Sequence, residues 1–227
     1  MQDPMHDTEK TGYSPLPLFV DMRGKRALVV GGGCVAQRKI ETLVDHGCQV
    51  TVITPEATDK IRDLADRGLI ELILRSFDSK DVQGPFLVFA CTDSPELNRR
   101  VTEIAEAAGA LENCVESKEP EVSLPATLRR GDLQVAVSTA GASPALARRI
   151  RCGLEGAFPR NLGRAVRLIG QARLMILERV DDPKTRHRLN RLIAEDRWVQ
   201  RILGDEDYTA EALFTDACHS LKEREDS

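Results

Sequence analysis

The stretch RALVVGGGCVAQRKIETLVDHG, residues 26–47, decides the fold. It begins with the apolar run Ala27–Val30, passes through three glycines, and then shows apolar residues at helical spacing up to Gly47. This order predicts a buried strand, a tight turn and an amphipathic helix. The turn fits the pattern G-x-G-x-x-A, in which glycines let a pyrophosphate approach the backbone and the helix N-terminus supplies amide donors. The expected dinucleotide contacts here are Gly31, Gly33, Cys34, Val35 and Ala36.

Further apolar runs follow, with helical patterns between them. The helix that Pro95 opens carries apolar residues on one face and closes at Gly109. Strands that alternate with helices indicate a parallel sheet with right-handed crossovers. The sequence therefore predicts an α/β fold, a Rossmann-type doubly wound parallel sheet. The predicted strands are 27–30, 50–53, 69–74, 86–90 and 111–115.

The pattern changes near Glu116. Two β-segments, 122–128 and 133–138, are joined by a tight turn, and Ser143-Pro144 marks a capped helix start. Everything beyond is helical in character, with helices predicted at roughly 144–156, 161–180, 184–195 and 207–222. We expect a leader 1–15, a dinucleotide-binding domain 16–116, a small β-containing segment 117–150 and a helical C-terminal domain 151–227.

Composition excludes several classes of protein. Hydrophobic residues make up 41% of the 227 residues and charged residues 30%, which favours a packed core over disorder. No window approaches about 18 consecutive apolar residues, so no membrane span is expected. The N-terminus lacks a basic patch followed by an apolar run, which predicts a cytoplasmic protein without a secretory signal. The six cysteines form no C-x-x-C pair and the histidines are dispersed, so no metal site is expected.

Charge is distributed unevenly along the chain. Between Arg148 and Arg201 there are fourteen Lys and Arg residues against six Asp and Glu, a local balance of +8. Residues 205–227 hold eight acidic residues against two basic ones. The basic band suits a polyanionic small molecule or a nucleic acid. Solvated helix faces explain the same charges without any ligand.

Residues after the second and fourth strands refine the cofactor prediction. Pro55 and Glu56 follow the second strand, where a carboxylate hydrogen-bonds the ribose diol, and no Arg follows to accept a 2′-phosphate. NAD is therefore favoured over NADP. Thr92 and Asp93 follow the fourth strand at the same sheet edge and are expected to line the nicotinamide half of the cleft. A helix-capping loop explains these two residues equally well.

Several motifs, in order along the chain, resemble a known family. They are LPLF at 16–19, VVGGGCVAQRK at 29–39, ACTD at 90–93, NCVE at 113–116 and VAVSTAGASPALAR at 135–148. Together they resemble the precorrin-2 dehydrogenases and the equivalent domain of siroheme synthases. The resemblance implies NAD-dependent oxidation of precorrin-2 to sirohydrochlorin, in some members followed by ferrous iron insertion to give siroheme. It also implies a homodimer in which the segment 117–150 serves dimerisation.

The resemblance implies roles for individual residues. Glu116 stands where the family typically has an Asp that acts as catalytic acid/base, so a carboxylate is retained one methylene further from the backbone. A solvated surface acid is the alternative for Glu116. Precorrin-2 is an octacarboxylate, and the basic band defined above pairs naturally with it. The expected substrate contacts are Asn113, Ser138, Thr139, Ser143 and Arg148.

Two alternatives from other classes stay open at this point. An NAD-sensing regulatory module without catalysis explains the glycine loop, but not the β-segments and basic helices that follow it. Nucleic-acid binding explains the Arg-rich helices, but the few dispersed aromatic residues and the acidic tail argue against it. Neither a nucleic acid nor a membrane is therefore an expected partner.

Overall fold

The computed structural model describes residues 15–114 and 120–225. Contacts within the chain divide it into two compact units, the first ending at Leu124 and the second beginning at Pro125. The division into four regions that the sequence predicts, 1–15, 16–116, 117–150 and 151–227, stays a prediction. Among the described residues, no helix has both the length and the apolar character needed to cross a membrane.

The first unit is built around a sheet of five parallel strands. They are β1 (Arg26–Val30), β2 (Gln49–Thr54), β3 (Glu71–Leu74), β4 (Leu87–Ala90) and β5 (Leu111–Cys114). Their order across the sheet is β3-β2-β1-β4-β5, so the chain extends to one side of β1 and then continues on its other side. The doubly wound α/β fold predicted from the sequence is confirmed.

Three α-helices of the described residues cover this sheet. They are α1 (Cys34–Asp45), α2 (Asp59–Asp66) and α3 (Pro95–Ala107). The side chains of Thr58 and Ser94 cap α2 and α3 by accepting hydrogen bonds from backbone amides. One apolar core lies between the sheet and the helices α1 and α2, and a second lies against α3. Because both faces are covered, β4 and all but the first residue of β1 are buried.

The second unit opens with an antiparallel pair, β6 (Ala126–Arg130) and β7 (Leu133–Val137). The pairing begins at Ala126 rather than at the predicted 122, directly after Pro125, which has no N–H to donate to a ladder. Five helices follow in the described residues, whereas the sequence predicts four. They are α4 (Pro144–Ala157), α5 (Leu162–Arg179), α6 (Pro183–Leu192), α7 (Asp196–Gly204) and α8 (Ala210–Glu225).

Arg164 on α5 holds the end of α7 and the turn that follows it. Its guanidinium donates to backbone carbonyl groups at distances of 2.5–2.9 Å. The last carbonyls of a helix lack intrahelical donors, so a charged side chain that reaches them stabilises the helix end. The four acceptors are the carbonyls of Ile202, Asp205, Glu206 and Tyr208.

We expect Arg164→Met to lower the free energy of unfolding by about 2–4 kcal/mol, because it removes charge-assisted hydrogen bonds and leaves carbonyls without donors. Urea-induced unfolding followed by circular dichroism measures the change. Arg167 is exposed on the same helix and provides a matched control. Arg167→Met should change stability by no more than about 0.5 kcal/mol. Equal stability of the two variants would contradict the anchoring role of Arg164.

Candidate functional site

The candidate site lies at the carboxyl ends of the central strands. Since β1 lies between β2 and β4, the strand order reverses there, and α/β sheets bind ligands at such a switch point. The Gly31 amide donates to the Ile53 carbonyl at 3.0 Å, and the Cys91 amide donates to the Val30 carbonyl at 2.8 Å. These bonds hold the glycine loop between neighbouring strand ends.

Gly31 and Gly32 are required by the packing of the protein itself. Gly31 has a φ of +123°, and a Cβ added to it would lie 2.4 Å from the Cys91 carbonyl oxygen. A Cβ added to Gly32 would lie 2.0 Å from the Glu56 carbonyl oxygen. Because any side chain would collide with backbone at both positions, these glycines let three loops approach one another closely.

Gly33 differs from its two neighbours. It has an ordinary extended backbone, with φ −81° and ψ −177°, and an added Cβ would meet no atom within 4 Å. No steric contact in the described residues therefore requires glycine here. Space in front of this position is what the G-x-G-x-x-A pattern needs for a pyrophosphate.

Helix α1 begins directly after Gly33. No side chain caps its N-terminus, and its first turn contains no acidic residue. The first amides of a helix lack intrahelical acceptors and lie at the positive end of the helix dipole. The amides of Cys34, Val35 and Ala36 therefore fit an anionic group of the kind a dinucleotide carries.

The loop after β2 is fixed against the glycine loop. Thr54 is buried, and its hydroxyl donates to the Glu56 carbonyl at 2.6 Å. The Thr58 amide donates to the Gly32 carbonyl at 3.0 Å. Pro55 and Glu56 are themselves exposed. The structure thus places the backbone of Glu56 beside the glycine loop, while its contact with a ribose stays a prediction.

Thr92 is held by a buried asparagine that is not among the site residues predicted from the sequence. Asn98 is fully buried, and its Oδ1 accepts hydrogen bonds from the Thr92 amide at 3.0 Å and the Thr92 hydroxyl at 2.7 Å. Its Nδ2 donates to the Thr92 carbonyl at 2.9 Å. These bonds support the alternative in which Thr92 belongs to a helix-capping loop, and Asp93 beside it is exposed. Cofactor contacts of both residues stay predictions.

Asn113 is buried and both ends of its amide are engaged. Its Oδ1 accepts from Lys39 Nζ and its Nδ2 donates to the Val122 carbonyl, each at 2.5 Å. Burial lowers the pKa of Lys39, whose Nζ lies 4.6 Å from the centre of the Phe89 ring. Burial also raises the pKa of the Cys91 thiol to about 11, which keeps it protonated at neutral pH. The predicted substrate contact of Asn113 stays a prediction.

In the second unit, the predicted substrate residues cluster in and just after the loop between β7 and α4. Ser138 and Thr139 each accept a hydrogen bond from a backbone amide further along this loop. Ser143 caps α4 by accepting from the Leu146 amide at 3.2 Å. Arg148 is exposed on α4. The hydroxyls therefore shape the loop, and their contacts with a substrate stay predictions.

The predicted catalytic residue, Glu116, lies outside the described residues. Within the described ranges, no group of three or more His, Cys, Asp and Glu side chains is placed to hold a metal ion. All six cysteines are free.

Comparison with known proteins gives matches along most of the chain. Residues 18–126 match an NAD(P)-binding family model, and residues 130–156 match the model of the sirohaem biosynthesis protein central region. The siroheme synthase of Nitrosococcus oceani is 34% identical over 200 residues, which make up 88% of this chain and 43% of that protein. The siroheme synthase of Methylococcus capsulatus is 35% identical over 211 residues, 92% of this chain and 44% of that protein. The chain spans less than half the length of these relatives.

Among solved structures, the precorrin-2 dehydrogenase SirC is similar in fold. The TM-score is 0.73 at 22% identity, over 89% of this chain and 98% of SirC. At that identity the likeness shows a shared fold. Both family models match in succession, and each relative named above aligns with most of the chain. The chain therefore resembles the NAD(P)-binding and central regions of siroheme synthases along most of its length.

Proposed function

We propose that the protein catalyses the NAD-dependent oxidation of precorrin-2 to sirohydrochlorin. The observation that carries the proposal is the open position at Gly33, directly before the uncapped α1, in a chain that is similar to siroheme synthases. If NAD is bound there by the amides of Cys34 and Val35, it would supply the hydride acceptor for the oxidation. The balanced reaction converts precorrin-2 and NAD⁺ into sirohydrochlorin, NADH and one proton.

The protein's own residues bind the cofactor and move one proton in this proposal. The amides of Cys34 and Val35 hold the pyrophosphate, and Glu56 accepts a hydrogen bond from the ribose diol. Glu116 takes a proton from the macrocycle while the hydride leaves, which is general base catalysis. The remaining proposed cofactor contacts are Gly31, Gly33, Ala36, Pro55, Thr92 and Asp93.

Exposed arginines of the second unit support a polyanionic substrate. Arg148 and Arg149 lie on α4, and Arg167 and Arg173 lie on α5, all with exposed side chains. Guanidinium groups bind carboxylates through paired, charge-assisted hydrogen bonds. Precorrin-2 is an octacarboxylate and therefore offers eight such groups. The proposed substrate contacts remain Asn113, Ser138, Thr139, Ser143 and Arg148.

A homodimer and a cytoplasmic location are parts of the same proposal. Leu146 and Ile150, four residues apart on α4, share a helix face and are 49% and 42% exposed, which supports a subunit contact through the segment 117–150. The free state of all six cysteines supports a reducing compartment. In this proposal residues 16–116 bind the cofactor and residues 117–150 form the dimer contact. Residues 151–227 form the helical C-terminal domain.

Anaerobic incubation of the protein with precorrin-2 and NAD tests the proposed reaction. We expect NADH formation in step with the appearance of the sirohydrochlorin spectrum. NAD binding without any NADH formation would overturn the proposal in favour of an NAD-sensing module. Ferrous iron insertion, which the family resemblance implies for some members, stays a prediction that the same preparation tests with purified sirohydrochlorin and Fe²⁺.

We expect the wild-type protein to use NAD with a kcat/KM at least about tenfold above that for NADP, because the Glu56 carboxylate repels a 2′-phosphate. Glu56→Gln should narrow this ratio by raising kcat/KM for NADP. Initial rates of precorrin-2 oxidation with each cofactor measure the ratio. Glu106, an exposed acid on α3, is the matched control, and Glu106→Gln should leave the ratio unchanged. Equal kcat/KM values for both cofactors in the wild type would remove Glu56 from the site.

A further inference from the structure

Asn98 is a fully buried polar residue on a helix face that is otherwise apolar. It lies on α3, where the other buried residues are Val101 and Ala105. An apolar side chain would fill this position without the cost of removing an amide from water. The presence of Asn98 is therefore explained by what its amide binds rather than by packing.

The side-chain amide of Asn98 binds both polar groups of the Thr92 backbone. Its Oδ1 accepts from the Thr92 N–H at 3.0 Å, and its Nδ2 donates to the Thr92 carbonyl at 2.9 Å. A carboxylate has no donor for that carbonyl, and an apolar side chain would leave both backbone groups without a partner, so the pair requires an amide. The backbone N–H of Asn98 donates to the carbonyl of Ser94, the N-cap of α3, at 2.9 Å. The loop after β4 is thereby fixed to the first turn of α3.

Both hydrogen-bond donors of Thr92 are engaged by Asn98. Besides the amide, the Thr92 hydroxyl donates to Asn98 Oδ1 at 2.7 Å, and the same hydroxyl accepts from the Ser94 amide at 3.2 Å. The phosphates and the carboxamide oxygen of a dinucleotide are acceptors, and Thr92 has no donor left to offer them. Thr92 therefore serves the site through the position of its backbone.

The backbone that Asn98 fixes lies against the glycine loop. A Cβ added to Gly31 would lie 2.4 Å from the Cys91 carbonyl oxygen and 3.2 Å from the Thr92 nitrogen. The Cys91 amide donates to the carbonyl of Val30, the residue directly before Gly31. Because these backbones are already in close contact, a shift of residues 91–92 would displace the start of the loop that leads to α1.

We propose that Asn98 is a positioning residue for the dinucleotide site, which holds the backbone of residues 91–92 where the glycine loop requires it in order to bind a pyrophosphate. This inference rests on the proposed function, because it assigns Asn98 an effect on NAD binding in front of Gly33. Without the amide, the loop after β4 would adopt several arrangements. If the arrangement that binds NAD falls to about one tenth of the population, the dissociation constant of NAD rises about tenfold.

The test compares Asn98→Ala with Val101→Ala. Alanine favours the helix and leaves room for water to reach the Thr92 backbone, so Asn98→Ala should fold. Val101→Ala removes buried atoms from the same helix face and weakens the packing of α3 without removing a hydrogen bond to Thr92. For Asn98→Ala we expect the dissociation constant of NAD by calorimetry and the KM for NAD to rise about tenfold, with kcat at saturating NAD within about twofold of the wild type. Val101→Ala should bind NAD as the wild type does.

Amide hydrogen exchange without NAD provides a measurement that does not depend on turnover. The exchange rate of the Gly31 amide is divided by that of Val29 within β1, which corrects for a general loss of stability. We expect this ratio to rise about tenfold in Asn98→Ala, because the loop against Gly31 is no longer fixed. The ratio should stay at the wild-type value in Val101→Ala.

Asn98→Ser is a second variant in case Asn98→Ala does not fold. Its hydroxyl can bind one polar group of the Thr92 backbone but cannot bridge both, so the dissociation constant of NAD should rise at least about threefold. Wild-type NAD affinity in a folded Asn98 variant, or an equal loss of affinity in Val101→Ala, would overturn the positioning role. A lower kcat with an unchanged KM would overturn it too, since that result means only that less protein is folded. If the wild type binds no NAD, the proposed function fails, and the exchange ratio alone decides whether Asn98 sets the glycine loop.

Discussion

Glu116→Gln is expected to lower kcat for precorrin-2 oxidation by about 10²–10⁴-fold while leaving NAD affinity unchanged. The substitution keeps the shape of the side chain and removes its capacity to take a proton. Oxidation releases a proton as well as a hydride, so the loss of a positioned base slows the chemical step and spares cofactor binding. Anaerobic initial rates of NADH formation, together with calorimetric titration of NAD, measure the two effects separately.

Two further substitutions sharpen this test. Glu116→Asp restores the residue that the family typically carries, so it should retain much more activity than Glu116→Gln. Glu119→Gln removes another acid from the same polar run and is the matched control, with no expected change in kcat. Wild-type turnover in Glu116→Gln would assign Glu116 to the solvated surface and leave the base to another residue.

The sheet could be predicted because its information is local. The central strands β1 and β4 are short apolar runs, and buried parallel strands require no polar alternation. The start of α3 could also be predicted from the sequence, since Ser94 supplies a cap and Pro95 a first helical residue. Each of these signals lies within a few residues of the structure that it specifies.

Helix α7 could not be predicted in the same way. It is only nine residues long and follows a predicted helix end at 195, where a second helix had no separate signal. Short helices are marginal by themselves and are stabilised by tertiary packing. The structure supplies that packing, since Trp198 and Ile202 are buried in the apolar core shared with α5 and α8.

In the candidate site, too, features formed by residues close in sequence could be predicted, and contacts between distant residues could not. The glycine loop was found because its turn, strand and helix are consecutive in sequence. The contact between Lys39 and Asn113 joins residues 74 positions apart, and no local pattern specifies such a pair. Asn98 did leave a signal, because it lies on the apolar face of α3 with Val101 and Ala105 and is buried there with them. A polar residue on a buried face indicates a specific partner.

Gly33→Asp is expected to weaken NAD binding at least about 100-fold and to leave folding intact, because the two effects arise from different features of this position. The new carboxylate would stand where the pyrophosphate approaches, and opposing like charges costs several kcal/mol, with about 1.4 kcal/mol for each factor of ten. The substitution should cause no steric clash in the folded protein, since the backbone at Gly33 is extended and an added Cβ meets no atom within 4 Å. Calorimetry with NAD and thermal unfolding without it measure the two effects.

The direction of the stability change in Gly33→Asp distinguishes a direct loss of NAD binding from a loss caused by a less stable fold. Gly33 is the N-cap of α1, where Asp is preferred to Gly by a few tenths of a kcal/mol, so the variant should unfold at the same temperature as the wild type or slightly higher. Gly170→Asp adds the same charge at an exposed position on α5 and should leave NAD affinity unchanged. A loss of binding accompanied by a lower unfolding temperature would mean that Gly33 supports the fold. Unchanged NAD affinity in a stable Gly33→Asp protein would place the cofactor elsewhere, since no dinucleotide phosphate can share the space in front of α1 with a carboxylate at no cost.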